Sequence, residues 1–328
     1  MTFLTRQPSA MPRRSVRAFA ATVAATALLL AGCSSEDSGT RSFTADNGTF
    51  EIPAQPERIV AIGRAVPSLP TTDAPLVGVV EYSEMVGITE EQEKTYEDLQ
   101  KVGSGAELDY EKIASLEPDV IISGIPLRNF TKVDEDRLQS IAPTLSLGPL
   151  TPYEWKDLGE QQTDAAGVSG IFDDQKAEYE DRAAEIREEY KDKIDGVNFA
   201  AVEQADQGAN GFTRQYTGGW ITNIPEDVGL NFPGEGADTE NNGATFTEAL
   251  SSEKIPDLRD VDAIMYRAEA DGSPVAGLEE LLSQSAFQNL PAVEEGRILA
   301  VNGLWAETYA GALICLDSLE EALKNLPN

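Results

Sequence analysis

Short apolar runs bounded by Gly, Pro or Asn, separated by stretches of helical period, mark out most of the chain. Phe43 to Ile52 alternates on both sides of Asn47-Gly48, a tight-turn dipeptide, and predicts a hairpin ended by Pro53 and Pro56. Ile59–Ile62 and Leu76–Val80 are continuous apolar runs, the pattern of strands buried on both faces. Tyr110–Leu116 has a short amphipathic period, and the apolar triplet Val120-Ile121-Ile122 follows Glu117-Pro118-Asp119. Asp134–Ile141 predicts a helix and Pro143–Leu147 a strand. This alternation argues for an α/β domain with a mainly parallel sheet.

Phe172 to Ile194 is different. It contains no Gly or Pro, and acidic and basic residues alternate through it. Tyr179, Ala183, Ile186 and Tyr190 recur at three- and four-residue spacing, which predicts one long, mostly solvated helix of roughly 35 Å, ended by Gly196. Beyond it the alternation resumes: strands at Phe199–Val202, Ala263–Tyr266 and Ile298–Val301, and helices at Ile221–Val228, Gly277–Leu282 and Tyr309–Leu326. The expected fold class is α/β, with two Rossmann-like lobes, 43–168 and 196–328, bridged by one long α-helix, 169–195.

The first 32 residues carry Arg6, Arg13, Arg14 and Arg17 and no acid, then an apolar stretch from about Ala18 to Leu30. Basic, then apolar, then small is the order of a secretory signal peptide, and the run falls short of the roughly 20 residues of a membrane span. Leu30-Ala31-Gly32-Cys33 resembles the lipobox of bacterial lipoproteins, which implies cleavage before Cys33 and lipidation of its sulfur. Residues 33–42 read as a flexible tether. Arg13-Arg14 leaves twin-arginine export open beside the general route.

Composition narrows the chemistry. The formal charge is −32, and loss of residues 1–32 with their four arginines leaves 21 basic against 57 acidic residues, a charge of −36. A field of that sign repels nucleic acid. There is no histidine, so a zinc site of the usual kind and a Ser-His-Asp triad are excluded. Cys315 lies in the apolar helical pattern Ala312–Leu316 and reads as a small buried hydrophobe rather than a disulfide partner of Cys33.

In open α/β sheets ligands sit beyond the carboxyl ends of the strands. Arg64, Arg128, Arg214 and Arg267 follow predicted strands, Trp305 follows the Ile298 strand, and Tyr82, Tyr216, Trp220 and Tyr309 lie close to such ends. Guanidinium forks suit the oxygens of carboxylates and catecholates, and aromatic faces pack on flat chelates. Each arginine could equally pair with one of the many surface acids. Tyr216 and Trp220 could equally be core.

Five segments carry a family resemblance over nearly all of the chain beyond Cys33: Pro53–Val60 (PAQPERIV), Leu108–Ile122 (LDYEKIASLEPDVII), Ile141–Thr144, Ser252–Ile255 with Asp262–Ile264, and Phe287–Trp305 (FQNLPAVEEGRILAVNGLW). Together they resemble the iron-siderophore and cobalamin substrate-binding lipoproteins of ABC importers. The resemblance implies two lobes joined by a rigid helix with limited hinge motion. It implies a ferric siderophore as ligand, with no cofactor, no bound metal of the protein's own and no catalysis. It also implies a monomer, lipid-anchored outside the cytoplasm, that docks on an ABC importer permease through one glutamate per lobe, Glu111 and Glu253, with Glu248 as a rival in the second lobe. Cobalamin and haem are alternative cargoes, haem disfavoured by the lack of a histidine ligand. Two readings lie outside the family. An exported carboxylate-dependent hydrolase would need two acids about 5–10 Å apart in a cleft, and no motif singles out such a pair. A surface interaction protein with a vestigial cleft is the other.

Overall fold

The computed structural model describes residues 39–82, 88–105, 107–127, 129, 133–205, 211–236 and 246–327, all within the unit Asp37–Asn328. The signal-peptide and lipobox readings, Cys33 included, and Arg128 fall outside the described residues.

The N-terminal hairpin pairs β1 (Thr40–Ala45) with β2 (Gly48–Pro53) around Asn47-Gly48. Gly48 has φ +140°, a backbone state that glycine adopts without steric cost. Pairing begins at Thr40, so the strand takes in the last three residues assigned by sequence to the tether. The Asn47 side chain fastens the turn to the first lobe: its amide donates to Glu135 Oε1 at 2.8 Å and to Thr144 O at 3.0 Å, and its oxygen accepts from Ser146 N at 3.0 Å.

The first lobe is built from β3 (Ile59–Gly63), β4 (Leu76–Glu81), α1 (Glu90–Asp98), β5 (Gln100–Ser104), β6 (Glu107–Leu108), α2 (Tyr110–Ser115), β7 (Val120–Gly124), α3 (Glu135–Ile141) and β8 (Thr144–Ser146). Its sheet order is β6-β5-β4-β3-β7-β8, parallel except for the β5–β6 pair. Ile59–Ile62 and Val120–Ile122 are fully buried, which is why their apolar runs show no alternation.

Two helices lead out of this lobe, α4 (Trp155–Ala165) and α5 (Ser169–Glu189), followed by the single turn α6 (Lys191–Ile194). Leu158 and Ala165 of α4 pack into the first-lobe core, whereas Trp155 packs into the core of the second. Helix α5 buries Phe172, Tyr179, Ala183 and Ile186 against the second lobe. The expected continuous helix to Ile194 is interrupted at Tyr190, where φ −104° and ψ 18° leave the helical region.

The second lobe contains β9 (Phe199–Gln204), β10 (Phe212–Gln215), α7 (Asn223–Val228), β11 (Thr247–Leu250), a 3-10 segment Ser252–Asp260, β12 (Ala263–Arg267), α8 (Leu278–Ser283), α9 (Ser285–Gln288), α10 (Pro291–Glu294), β13 (Ile298–Val301) and α11 (Tyr309–Asn325). The sheet order is β11-β10-β9-β12-β13. Strands β9, β12 and β13 are parallel, and β10 runs antiparallel to both neighbours. One face packs on α5, α7 and α11, the other on Ile255, Leu258, Leu278, Leu281 and Phe287. Cys315 is fully buried as a free thiol, and burial pushes its pKa up, so it serves as packing. Among the described residues no helix is long and apolar enough to cross a membrane.

Candidate functional site

The carboxyl end of β3 delivers Arg64 to the gap between the lobes. Gly63 turns the chain there with φ +60°, and a Cβ on it would lie 2.7 Å from Ile125 Cγ1. Gly124 at the end of β7 is as constrained, since a Cβ would come within 2.1 Å of Ala65 N. These two close approaches seat the backbone of Arg64, whose N–H donates to Gly124 O at 3.3 Å. The guanidinium carbon sits 4.2 Å from the Trp220 ring centroid, and Nη1 pairs with Glu307 of the second lobe. Burial draws the Arg64 pKa down, with Tyr82 opposing. Tyr82 follows β4; its N–H donates to Tyr96 Oη at 2.8 Å and its own hydroxyl donates to Glu307 Oε2. Arg64 and Tyr82 of one lobe and Trp220 and Glu307 of the other thus form a single cluster.

A second cluster stands at the carboxyl ends of the second sheet. Arg267 is the last residue of β12, within the strand rather than after it, and its guanidinium carbon lies 4.4 Å from the Trp305 ring centroid. Trp305 is 46% exposed, although its indole N–H is fixed, donating to Glu203 Oε1 at 2.9 Å. Glu203, only 5% exposed, also accepts from Gln215 Nε2, and Gln215 Oε1 accepts from Ile221 N at 3.1 Å. A buried carboxylate therefore holds an exposed indole with a cation stacked on it, and a flat ligand entering the gap meets a ring already oriented.

The other candidates are placed elsewhere. Arg214 does not follow a strand, as its sequence position suggests; it lies inside β10, opposite Val202 and Glu248. Register puts Arg214 with Val202 and Tyr266 on one sheet face, and Arg267 with Glu203 and Thr213 on the other. The two arginines do not form one set. Arg214 stacks on Tyr216 at 4.8 Å, and its Nε meets no acceptor among the described residues. Tyr216 is buried, and its hydroxyl donates to Glu248 Oε2 at 2.8 Å; burial and that bond push its pKa up to about 12. Tyr309 is a core residue: 3% exposed, it packs edge-on to Trp155 and Phe172 at 5.1 and 5.2 Å between centroids. The first turn of a closing helix draws its ring under α4 and α5.

Glu111 and Glu253 are exposed and occupy matching positions. Asp109 caps α2 by accepting from Lys112 N at 2.9 Å, Glu111 lies two residues on, and Ile113 is buried. In the second lobe Ser251 precedes the 3-10 segment, Glu253 lies two residues on, and Ile255 is buried. Glu248, the rival, is engaged by Tyr216.

Sequence reasoning missed Glu203 and Glu307. Glu203 carried a signal, an acid closing the apolar run Phe199–Val202, where burial demands a partner. Glu307 is the first acid after β13, a strand-end position like those searched for arginine and aromatic residues. Among the described residues no group of three His, Cys, Asp or Glu side chains could hold a metal ion.

Residues 67–302 match the family model described as periplasmic binding protein. A siderophore periplasmic binding protein from the fuscachelin gene cluster of Thermobifida fusca is 30% identical, superposes with a TM-score of 0.67, and aligns over 84% of this chain and 99% of its own. The iron(3+)-hydroxamate-binding protein FhuD of Bacillus subtilis is 26% identical over 81% of each chain. Staphylococcus aureus SirA, solved with staphyloferrin B, is 25% identical with a TM-score of 0.66, over 87% of this chain and 99% of its own. These relatives bear out the resemblance to siderophore-type substrate-binding proteins of ABC importers, which bind cargo and are not enzymes. The chain belongs to the periplasmic binding protein family.

Proposed function

We propose that the chain is an exported, lipid-anchored receptor that holds a ferric siderophore between its lobes and delivers it to an ABC importer permease. The observation that carries this reading is the pair of cation-on-aromatic stacks, Arg64 on Trp220 and Arg267 on Trp305, at the carboxyl ends of the two sheets. A ferric chelate offers flat faces to the indoles and oxygens to the guanidinium donors. The siderophore and hydroxamate names of the relatives support the same cargo class. In this reading the ligand wall is Arg64, Tyr82, Trp220, Arg267 and Trp305, with Arg128 as a further candidate. Overall charge repulsion does not oppose binding at contact, since it is screened over about 8 Å at physiological salt.

Glu111 and Glu253 would engage the permease, one from each lobe. Their exposure and their matching places two residues after a helix-start residue support that role. Cys33 would carry the lipid and residues 1–32 would be removed, on the strength of the Leu30–Cys33 motif. Intrinsic fluorescence tests the cargo. Trp220 and Trp305 belong to the wall, so a ferric siderophore should quench emission saturably, while the iron-free compound at equal concentration should quench less. Linear, non-saturating quenching by every ferric chelate tried would refute the reading.

A further inference from the structure

Glu307 turns both its oxygens to the opposite lobe, one in an ion pair with the Arg64 guanidinium and the other accepting from the Tyr82 hydroxyl. The carboxylate is tucked in, with its side chain 12% exposed against 36% for that of Arg64, so the face left to a ligand is the guanidinium and the Trp220 ring behind it. Arg64 is therefore not a spare positive charge. An anion that approached it would meet the charge of Glu307 within the same contact, and a partly buried charge is screened less than a surface one. An uncharged ligand would meet no such repulsion and could still use the indole and the outward N–H groups.

We propose that Glu307 is a specificity-determining residue, a built-in counter-charge that biases the cleft towards ferric chelates of low net charge. Three hydroxamates balance the three positive charges of ferric iron, whereas three catecholates leave a charge of −3. The favoured class is the uncharged tris-hydroxamate type. This inference rests on the cargo reading above and sharpens it.

The test compares wild type, Glu307→Gln and Glu307→Asp, titrated with ferrichrome, an uncharged tris-hydroxamate, and with ferric enterobactin, a tris-catecholate of charge −3. Glutamine keeps the shape and an acceptor for Tyr82 but removes the charge; aspartate keeps the charge. Wild type should prefer the uncharged chelate. Glu307→Gln should shift the affinity ratio by about tenfold towards the trianion, while Glu307→Asp should keep the wild-type order. Thermal melts of all three report that each is folded. A ratio in Glu307→Gln within about twofold of wild type, or a wild type that prefers the trianion, would overturn the inference and leave the cargo reading standing. A wild type that bound neither chelate, nor any other ferric siderophore, would remove the cargo reading itself, and the role of Glu307 with it.

Discussion

Glu203→Gln should loosen Trp305 and destabilise the second lobe together. The wild-type carboxylate offers one oxygen to the Trp305 indole N–H at 2.9 Å and the other to Gln215 Nε2. An amide has a single oxygen, so whichever way it turns, its NH2 faces a donor. Gln215 cannot relieve the conflict by flipping, because its own oxygen accepts from Ile221 N at 3.1 Å. One donor, in a site where Glu203 and Gln215 are 5% and 3% exposed, is left without an acceptor. Such a group costs about 1–3 kcal/mol. For a chain of this size that lowers the melting temperature by roughly 2–10 °C. Freeing the indole adds about 0.5–1.5 kcal/mol of ordering cost to ligand binding, a two- to tenfold loss of affinity. Thermal unfolding followed by near-ultraviolet circular dichroism measures the first effect, and fluorescence titration the second. In a Trp305→Phe background the affinity part should vanish while the stability part shrinks, since Phe makes no N–H demand. A variant that melts and binds like wild type would refute the role of Glu203 in orienting the ring.

Four further outcomes follow from the same structure. Ile186→Ala, at a fully buried position where α5 meets the second lobe, should cost about 2–5 kcal/mol in urea unfolding; a loss under 1 kcal/mol would mean that the helix is not seated there. Arg267→Ala should weaken ferric-chelate binding more than Arg214→Ala, because only Arg267 shares a face with Trp305 and Glu203; equal effects would contradict the face assignment. The Glu226 pKa is raised, first by burial, with the Gly218 N–H bond opposing. Its native state holds the proton more tightly, so its contribution to stability is full below the ordinary value of 4.5 and is lost as pH rises through the raised one. Glu226→Gln should therefore gain stability relative to wild type between pH 4 and pH 7, and urea midpoints showing the reverse would sink that assignment. Replacing Glu111 and Glu253 together with alanine should abolish uptake in cells with chelate affinity intact; normal uptake would end the docking proposal.

The parts of the fold legible in the sequence are those whose burial is total or strictly periodic. Strands β3 and β7 are apolar on both faces, and α5 shows its buried line Tyr179, Ala183, Ile186 through a polar surface. Helix α1 has no buried residue and β5 has one, Val102, so neither writes a pattern. The antiparallel strand β10 (Phe212-Thr213-Arg214-Gln215) also lacks one, and Arg214 passed for a loop residue as a result. Arg64 and Trp305 emerged from the strand-end rule because their side chains suit the oxygens and flat faces of a chelate. Among 57 acids, Glu307 is marked only by its place after β13 until folding brings it to Tyr82, 225 positions away. The break at Tyr190 is likewise silent, since tyrosine neither requires nor forbids a helix.

The most direct measurement is the position of iron in crystals grown with a ferric siderophore, read from anomalous scattering at the iron edge. The account predicts one strong peak between the lobes, with the Trp305 and Trp220 rings and the Arg267 and Arg64 guanidinium groups around the chelate. Iron found only on an outer surface, with those four side chains unchanged and no density between them, would contradict it.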